Sequence, residues 1–141
     1  MTISFHLDIV SAEAEIFSGL VGKLFVSGVM GDLEILFGHA PFLTSLKPGA
    51  IWVEKPDGQE EVFYISGGML EVQPKATTIL ADIAIRAKDV DEAQAVAAKA
   101  RAEAVLSGQN KDFNYAEAQT QLLEALAQLK ALKKFREKYR G

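Results

Sequence analysis

The sequence contains no cysteine, only four prolines and a single tryptophan among its 141 residues. Without cysteine there is no disulfide framework and no thiolate nucleophile, so a metal site would need the two histidines and carboxylates. No apolar run approaches the roughly 20 residues that cross a bilayer, and the start MTISFHLDIV lacks the basic and apolar regions of an export signal. We therefore expect a globular chain that stays in the compartment where it is made.

Charge is divided unevenly along the chain. Residues 1–85 hold four lysines and eleven acidic residues, a net charge of −7. Residues 86–141 hold seven lysines, four arginines and eight acidic residues, a net charge of +3, which gives −4 for the whole chain. This asymmetry favours two parts with different partners.

The first part shows the period-two pattern of β-strands. In ISFHLDIV, apolar residues alternate with polar ones, which predicts a strand with one buried face and His6 pointing outward. Runs rich in Val, Ile, Phe and Tyr predict six more strands, at residues 15–21, 23–27, 51–54, 61–66, 69–72 and 77–82. Between them, Pro48-Gly49 predicts a type II turn, Pro56-Asp57-Gly58 a hairpin, and Gly67-Gly68 a tight reversal.

From Lys88 onward the pattern is helical. Asp89 with Glu92 resembles a capping box before an alanine-rich helix, and Ser107-Gly108 predicts its end. Asn114 with Glu117 repeats the arrangement for a second helix after the link GQNKD. The predicted fold is α+β, with an N-terminal antiparallel β-sandwich at residues 1–87 and a C-terminal antiparallel two-helix hairpin at residues 88–141.

The contact faces of the two helices are also predicted from spacing. The first helix carries an alanine face at Ala93, Ala97, Ala100 and Ala104, and the second a leucine stripe at Leu122, Leu126, Leu129 and Leu132. An alanine face buries little apolar area per residue, so we expect the hairpin to be weakly held and able to move.

Catalytic motifs are missing from the sequence. No HxxxH or HExxH spacing, no G-x-S-x-G and no phosphate-binding G-x-x-x-x-G-K-[ST] occurs. The Gly67-Gly68 pair has no helix after it, so a hairpin is favoured over a phosphate loop. His39 beside Asp32 could form a relay, but a histidine within GDLEILFGHAPFLTSLKPG, residues 31–49, more often makes structural hydrogen bonds or contacts. We expect no catalytic residue, metal or cofactor, and a shaped loop that another protein holds.

The C-terminal segment KALKKFREKYRG is basic. Six cationic residues stand against Glu137 alone: Lys130, Lys133, Lys134, Arg136, Lys138 and Arg140. Such residues suit a helix C-terminus through the macrodipole, or they bind an acidic protein surface. Nucleic acid is disfavoured because the acidic chain lacks a broad electropositive face.

Several stretches together resemble the epsilon subunits of bacterial F-type ATP synthases, in the same order along the whole chain. They are DIVSAEAEIFSGLV, GDLEILFGHAPFLTSLKPG, YISGGMLEVQP and the two-helix tail. The loop pattern of that family is close to GELGI-x-PGHAP-x-L-T-x-L-x-PG. This chain departs at Glu34, where glycine is usual, and at Phe37, where proline is usual.

The resemblance implies a non-catalytic rotor subunit of a proton-driven, or sodium-driven, synthase. Its sandwich would contact the gamma subunit and the rotor ring of c subunits through Asp32, Glu34, Phe37, His39 and Pro41. Its hairpin would have a compact state on the sandwich and an extended state that reaches the alpha and beta subunits and suppresses ATP hydrolysis. The inhibitory contacts would be made by Lys130, Lys133, Lys134 and Arg136.

Some relatives bind ATP through [IL]-D-x-x-R-A at the start of the first helix. The aligned residues here are VDEAQA, in which Asp91 is retained and Gln94 replaces the arginine, so weak or absent ATP binding is expected. The resemblance also implies a peripheral position on the cytoplasmic face of the bacterial plasma membrane, without lipid insertion, and a monomer when isolated. The alternative is a free-standing sandwich module whose leucine stripe forms a dimer seam.

Overall fold

Ten β-strands and two α-helices account for most of the chain. The computed structural model describes residues 3–108 and 115–139. The strands are β1 Phe5–Ser11, β2 Glu15–Val21, β3 Lys23–Gly28, β4 Gly31–Leu36, β5 Phe42–Leu46, β6 Gly49–Glu54, β7 Glu60–Ile65, β8 Gly68–Val72, β9 Thr77–Ala81 and β10 Ala84–Arg86. A 3₁₀ turn at Ala87–Asp89 leads into helix α1, Glu92–Leu106, and helix α2 is Tyr115–Tyr139.

The strands form one sheet that closes around one core. Their order is β10-β7-β6-β3-β5-β8-β9-β1-β2, with β4 paired to β3, and among the described strands only the β1–β9 pair is parallel. Every strand contributes at least one side chain to the same buried cluster, from Leu7 and Ile9 in β1 to Ala84 in β10. The predicted α+β fold is confirmed, and His6 lies on the outward face of β1 as expected.

Three strands were not predicted. β4 and β5 lie in the stretch 31–49 that was interpreted as a loop, and β10 is only three residues long. In β4, Leu33 and Ile35 point inward between outward-facing acidic residues, but glycines and prolines on both sides hide this short alternation. The loop proper is therefore short, and two strands hold it at its ends.

Two of the turn predictions are wrong. Gly49 does not have the positive φ that a type II turn requires, and it is the first residue of β6. A Cβ at this position would lie 3.1 Å from the Cβ of Ser27, which favours glycine. Gly67-Gly68 is not a hairpin, since β7 and β8 are not neighbours in the sheet. The hairpin at Gly58 is confirmed by its N–H, which donates to the Lys55 carbonyl at 2.9 Å.

The N-cap of the first helix lies two residues after the predicted one. Asp89 belongs to the 3₁₀ turn, and Asp91 is the N-cap, whose carboxylate accepts the backbone N–H of Gln94 at 3.1 Å. The predicted end is confirmed, because α1 stops at Leu106 and Gly108 has a φ of 82°. The predicted cap at Asn114 and most of the link lie outside the described residues.

The predicted alanine face of α1 is wrong, and the predicted leucine stripe of α2 is only partly right, because Leu132 is buried and Leu126 is not. Ala93, Ala97 and Ala100 are exposed, and α1 instead buries Ala95, Ala102 and Val105. In α2, Leu126 is 41% exposed and Leu123 52%. The reason is that α2 has two partners and buries alanines on two sides.

The two sides of α2 are distinct. Ala118 and Ala125 face α1, where they line the groove between the helices. Ala127, Ala131 and Leu132 pack on the outer face of β6 and β7, in a second cluster with Ala50, Val62 and Tyr64. The hairpin is therefore folded against the sandwich.

Candidate docking surfaces on the sandwich and the hairpin

The loop between β4 and β5 is closed by a tight turn. The N–H of His39 donates to the Leu36 carbonyl at 3.1 Å, and Gly38, the third residue of the turn, has a φ of 83°. This geometry is typical of a type II turn, in which glycine takes the third position and proline is favoured at the second. Phe37 occupies that second position and is 61% exposed, so replacing proline leaves the turn intact and adds an aromatic surface.

His39 anchors this loop. Its Nδ1 donates to the carbonyl of Ala40 at 2.7 Å, and its ring meets the edge of Phe42 with centroids 6.1 Å apart. Asp32 lies near the other end of β4, about 14 Å of strand away from Leu36. The structure does not bring the two residues together, so the relay considered from the sequence is not formed.

Glu34 is accommodated within β4. Its carboxylate lies 3.3 Å from the Lys23 Nζ on β3, and the β3–β4 register runs without a bulge from Lys23–Leu36 to Gly28–Gly31. The departure from glycine at this position therefore leaves the strand regular and adds an exposed ion pair.

The five predicted docking residues form two groups. Phe37, His39 and Pro41 belong to the loop, beside a cavity of about 270 Å³ that Phe5 and Pro74 also line. Asp32 and Glu34 lie on the exposed face of β4 leading to it. Leu43, 65% exposed, extends the apolar part of this edge. An exposed edge with aromatic, apolar and acidic groups is suited to protein contact.

A serine, a histidine and an aspartate meet on the outer face of β1 and β2. The Ser18 hydroxyl donates to Asp8 Oδ1 at 2.6 Å, and the His6 Nε2 lies 3.0 Å from the same oxygen. The hydrogen bond from Ser18 lowers the pKa of the Asp8 carboxyl; burial opposes this, and the contact with His6 lowers the pKa further. Because the serine proton is given to the carboxylate rather than to histidine, the cluster does not activate a nucleophile.

The four basic residues of α2 that were predicted as inhibitory contacts divide into two pairs. Lys134 lies over the rings of Phe25 and Trp52, with its Nζ 5.2 Å and 5.4 Å from their centroids. Arg136 makes two hydrogen bonds to Glu92 of α1, one of them Nη1 to Oε1 at 3.0 Å. Lys130 and Lys133 are exposed. The Arg136 guanidinium lowers the pKa of Glu92, and Glu92 raises that of Arg136.

Tyr64 lies in the contact between α2 and the sandwich, which we call the seam and which consists of the cluster around Ala50, Val62, Ala127 and Ala131. Burial raises the pKa of its phenol to about 12, with a further contribution from Glu124 that the hydrogen bond with Gln128 partly offsets. The seam residues Phe25, Trp52 and Tyr64 were not predicted as functional. Their signal in the sequence is weak, because each is one outward position of a strand and nothing in the periodicity shows that a helix covers it.

The groove between α1 and α2 has a volume of about 590 Å³. Its walls carry alanines together with Arg101, Glu117 and Glu124. Two carboxylates against one guanidinium do not favour a polyanion. Asp91 is engaged as the helix cap through Gln94.

Within residues 3–108 and 115–139, no group of three or more His, Cys, Asp or Glu side chains could hold a metal ion. Neither described helix is long and apolar enough to cross a membrane.

The described chain is thus a β-sandwich with an exposed edge of aromatic, apolar and acidic groups and a helical hairpin on its outer face. The β-sandwich domain of the ATP synthase delta/epsilon chain matches residues 4–87, and the long α-helix domain of the same chain matches residues 88–133. The ATP synthase epsilon chain of Nitrosococcus oceani is 53% identical over 138 residues, covering 98% of this chain and 99% of the relative.

Two solved structures share the fold. A chain of the Euglena gracilis mitochondrial ATP synthase, in a cryo-EM structure with the c-ring, superposes with a TM-score of 0.71 at 19% identity, covering 96% of this chain and 81% of that one. A chain of the Tetrahymena thermophila central stalk and c-ring gives 0.64 at 15% identity, covering 91% and 96%. The chain belongs to the ATP synthase delta/epsilon family, and it is a non-catalytic subunit.

Proposed function

We propose that this chain is a central-stalk subunit that couples the catalytic head of a proton-translocating F-type ATP synthase to its rotor ring and restrains ATP hydrolysis through its hairpin. The observation that carries the proposal is the position of α2, which packs on β6 and β7 through a small, alanine-rich cluster while Leu123 and Leu126 stay exposed. A helix held by few large side chains, with a second apolar stripe uncovered, is suited to leave one surface for another.

The docking edge would contact the rotor ring and gamma. Phe37, His39 and Pro41 supply a stiff apolar contact, and Asp32 and Glu34 supply acceptors for polar or basic groups of the ring loops. Phe37→Ala should weaken binding to a detergent-solubilised complex of gamma and ring by about ten-fold, since an exposed aromatic anchor at the centre of an interface contributes at least 1 kcal/mol. Val96→Ala, at an exposed position on α1, is the control and should bind normally.

The hairpin would act as a separable brake, with the boundary between residues 87 and 88. ATP hydrolysis by a catalytic complex depleted of its own subunit should be inhibited by the full chain. A version ending at Lys88 should bind without inhibiting. If both versions bind without effect, the subunit is a coupler only and the brake is wrong; if neither binds, the assignment to this complex fails.

The exposed cations Lys130 and Lys133 would meet acidic surface on alpha and beta in the extended state, joined there by Lys134 and Arg136. Replacing either Lys130 or Lys133 alone by glutamate should reduce inhibition, and more so at low salt because charge contacts at a surface are screened by ions. Lys99→Glu, a change of equal charge on α1, should leave inhibition unchanged. Equal inhibition by all three proteins would exclude the electrostatic contact.

Nucleotide binding by the isolated chain would be weak or absent. Gln94 supplies no fixed positive charge, and the helix groove carries Glu117 and Glu124. Titration calorimetry with ATP should show no micromolar site, and Gln94→Arg should not create a tight one. A micromolar site in the unchanged chain would overturn this part of the proposal.

The chain would be monomeric alone and would sit peripherally on the cytoplasmic face of the bacterial plasma membrane, through gamma and the ring rather than through lipid or nucleic acid. The competing function is a free-standing module that dimerises through the exposed leucines of α2. Light scattering decides between them, since a stable dimer that excludes gamma would contradict the stalk position.

A further inference from the structure

Phe25 and Trp52 form a two-ring pair on the outer face of the sandwich. They are directly opposite each other in the β3–β6 register, and their rings are 6.4 Å apart at 65°. The neighbouring residues Leu24 and Val53 point into the core and are fully buried, which fixes the strands that carry the rings. The Trp52 indole N–H also donates to the carboxylate of Glu60, so the orientation of this ring is set from a second direction.

Lys134 of α2 is placed over both rings. Its ammonium group lies within 6 Å of each centroid, the range in which the negative face of an aromatic ring attracts a cation. Lys134 is half-buried, whereas its neighbour Lys133 is exposed. Two residues further on, Arg136 is held by Glu92 near the start of α1. The last part of α2 is thus tied to the sandwich and to α1 by charge as well as by apolar contact.

We propose that Phe25 and Trp52 are an aromatic latch for Lys134, which holds the hairpin on the sandwich. The inference rests on the proposed function, in which α2 leaves this surface. In the extended state α2 has left the sandwich, so Lys134 cannot then contact the two rings while it contacts the acidic partner proposed for that state. The same cation therefore stabilises the docked hairpin in one state and the partner complex in the other, which makes the two positions mutually exclusive.

The size of the expected effect follows from the burial of Lys134, which is half-buried over the rings. A cation over aromatic rings contributes up to about 1 kcal/mol when exposed and about 2 kcal/mol when desolvated, and the half-buried Lys134 is expected between these two values. Its loss should raise the population of the undocked hairpin by about five- to thirty-fold.

The absence of cysteine allows a direct test on the full chain. Ala50 lies under α2 in the seam cluster, so a single Ala50→Cys thiol is reached by a maleimide only when the hairpin lifts. In this background Lys134→Gln should label about five- to thirty-fold faster, and Lys133→Gln should label at the unchanged rate. The two substitutions remove the same charge from adjacent residues of the same helix, so only the contact with the rings distinguishes them.

A second thiol separates undocking from unfolding. Ala81→Cys lies in the sandwich core, away from α2, and its labelling should not respond to Lys134→Gln. If Ala81→Cys accelerates equally, or if Lys133→Gln matches Lys134→Gln at Ala50→Cys, the latch is wrong. Lys134→Gln should also change the fluorescence emission of Trp52, the only tryptophan in the sequence. An unchanged emission spectrum would contradict the contact between Lys134 and this ring.

These measurements need no other subunit, so they fail or succeed independently of the hydrolysis assay. A latch present in a chain that does not inhibit hydrolysis would overturn the brake and leave the latch. Inhibition of hydrolysis by a chain that shows no latch would overturn the latch and leave the brake.

Discussion

Tyr64 shows how one buried polar group at the seam responds to its surroundings. It is almost fully buried between β7 and α2, and its phenol pairs with Gln128. Loss of its proton would place an anion in an apolar cluster beside the carboxylate of Glu124, which is why the pKa is raised.

The seam should therefore fail at alkaline pH. The unfolded chain loses the Tyr64 proton near pH 10 and the folded chain near pH 12, so stability falls as the pH rises between these values. Urea unfolding followed across this range should show a steeper loss for the unchanged chain than for Tyr64→Phe. Equal slopes for the two proteins would show that this phenol does not couple to folding.

Gly68 is the position at which a side chain is least tolerated. Its φ is 152°, and a Cβ would lie 2.1 Å from the carbonyl oxygen of Leu80. We expect Gly68→Ala to destabilise the sandwich by about 3 kcal/mol or more, from strain and overlap together. Gly58→Ala is the matched control, with a φ of 89° and open space around it, and should lose only about 1–2 kcal/mol. Similar urea midpoints for the two variants would exclude the overlap with Leu80.

At the scale of elements, the sequence predicted those whose pattern is local. β2 appears at the predicted residues because its strand pattern is complete within seven residues. β4 and β5 were missed because they are short and are flanked by glycine and proline. The end of α1 was predicted from Ser107-Gly108, since a glycine with positive φ just beyond a helix is a local requirement.

The contact faces of the helices could not be predicted in the same way. Spacing identifies one apolar stripe, but α2 meets α1 on one side and the sandwich on another, and it uses alanines for both. Leu123 and Leu126 are then left exposed, while Leu132 is buried against the sandwich. For the same reason Trp52 and Lys134, 82 positions apart in sequence numbering, are brought together only by tertiary packing.

The contact between α2 and α1 should weaken in acid. Arg136 lowers the pKa of Glu92 below its ordinary 4.5, so the stabilisation is present at neutral pH and is lost as the pH falls below 4.5 through the lowered value. Labelling of Ala50→Cys by an acid-compatible disulfide reagent should accelerate over this range. The acceleration should be smaller in Glu92→Gln, which has no charge to lose; an identical pH profile would contradict a role for the pair.

For the whole molecule, Arg86 connects the two outer strands of the sheet, β10 and β2. Arg86 in β10 donates to Glu61 at 2.7 Å and to the carbonyl of Ile16 in β2 at 2.9 Å, and it lies over the ring of Phe63. β10 and β2 are the first and last strands of the sheet order. The Arg86 guanidinium thus forms a hydrogen bond across the gap between β10 and β2, which are not paired with each other.

Arg86→Met should destabilise the sandwich by about 1.5–3 kcal/mol, the range for hydrogen bonds to charged groups. Hydrogen exchange should show β2 and β10 losing protection before β3 and β6. Lys55→Met removes a cation at 3.6 Å from the same Glu61 carboxylate and should cost less, because it does not bond to β2. Uniform loss of protection across all strands would argue against a local role of Arg86 at the gap between β2 and β10.

The parallel pairing of β1 with β9 fixes the order in which the nascent chain can fold. Residues 7–11 find this neighbour only when residues 77–81 have left the ribosome, and Ile16 must wait for Arg86. The strands that complete the sandwich therefore leave the ribosome before α2 does. At typical elongation rates of about 5–20 residues per second, the end of α2 at Tyr139 follows Arg86 by roughly 3–10 s. During each round of synthesis the face that bears Trp52 is thus finished and uncovered, and the hairpin arrives last on a surface that already exists.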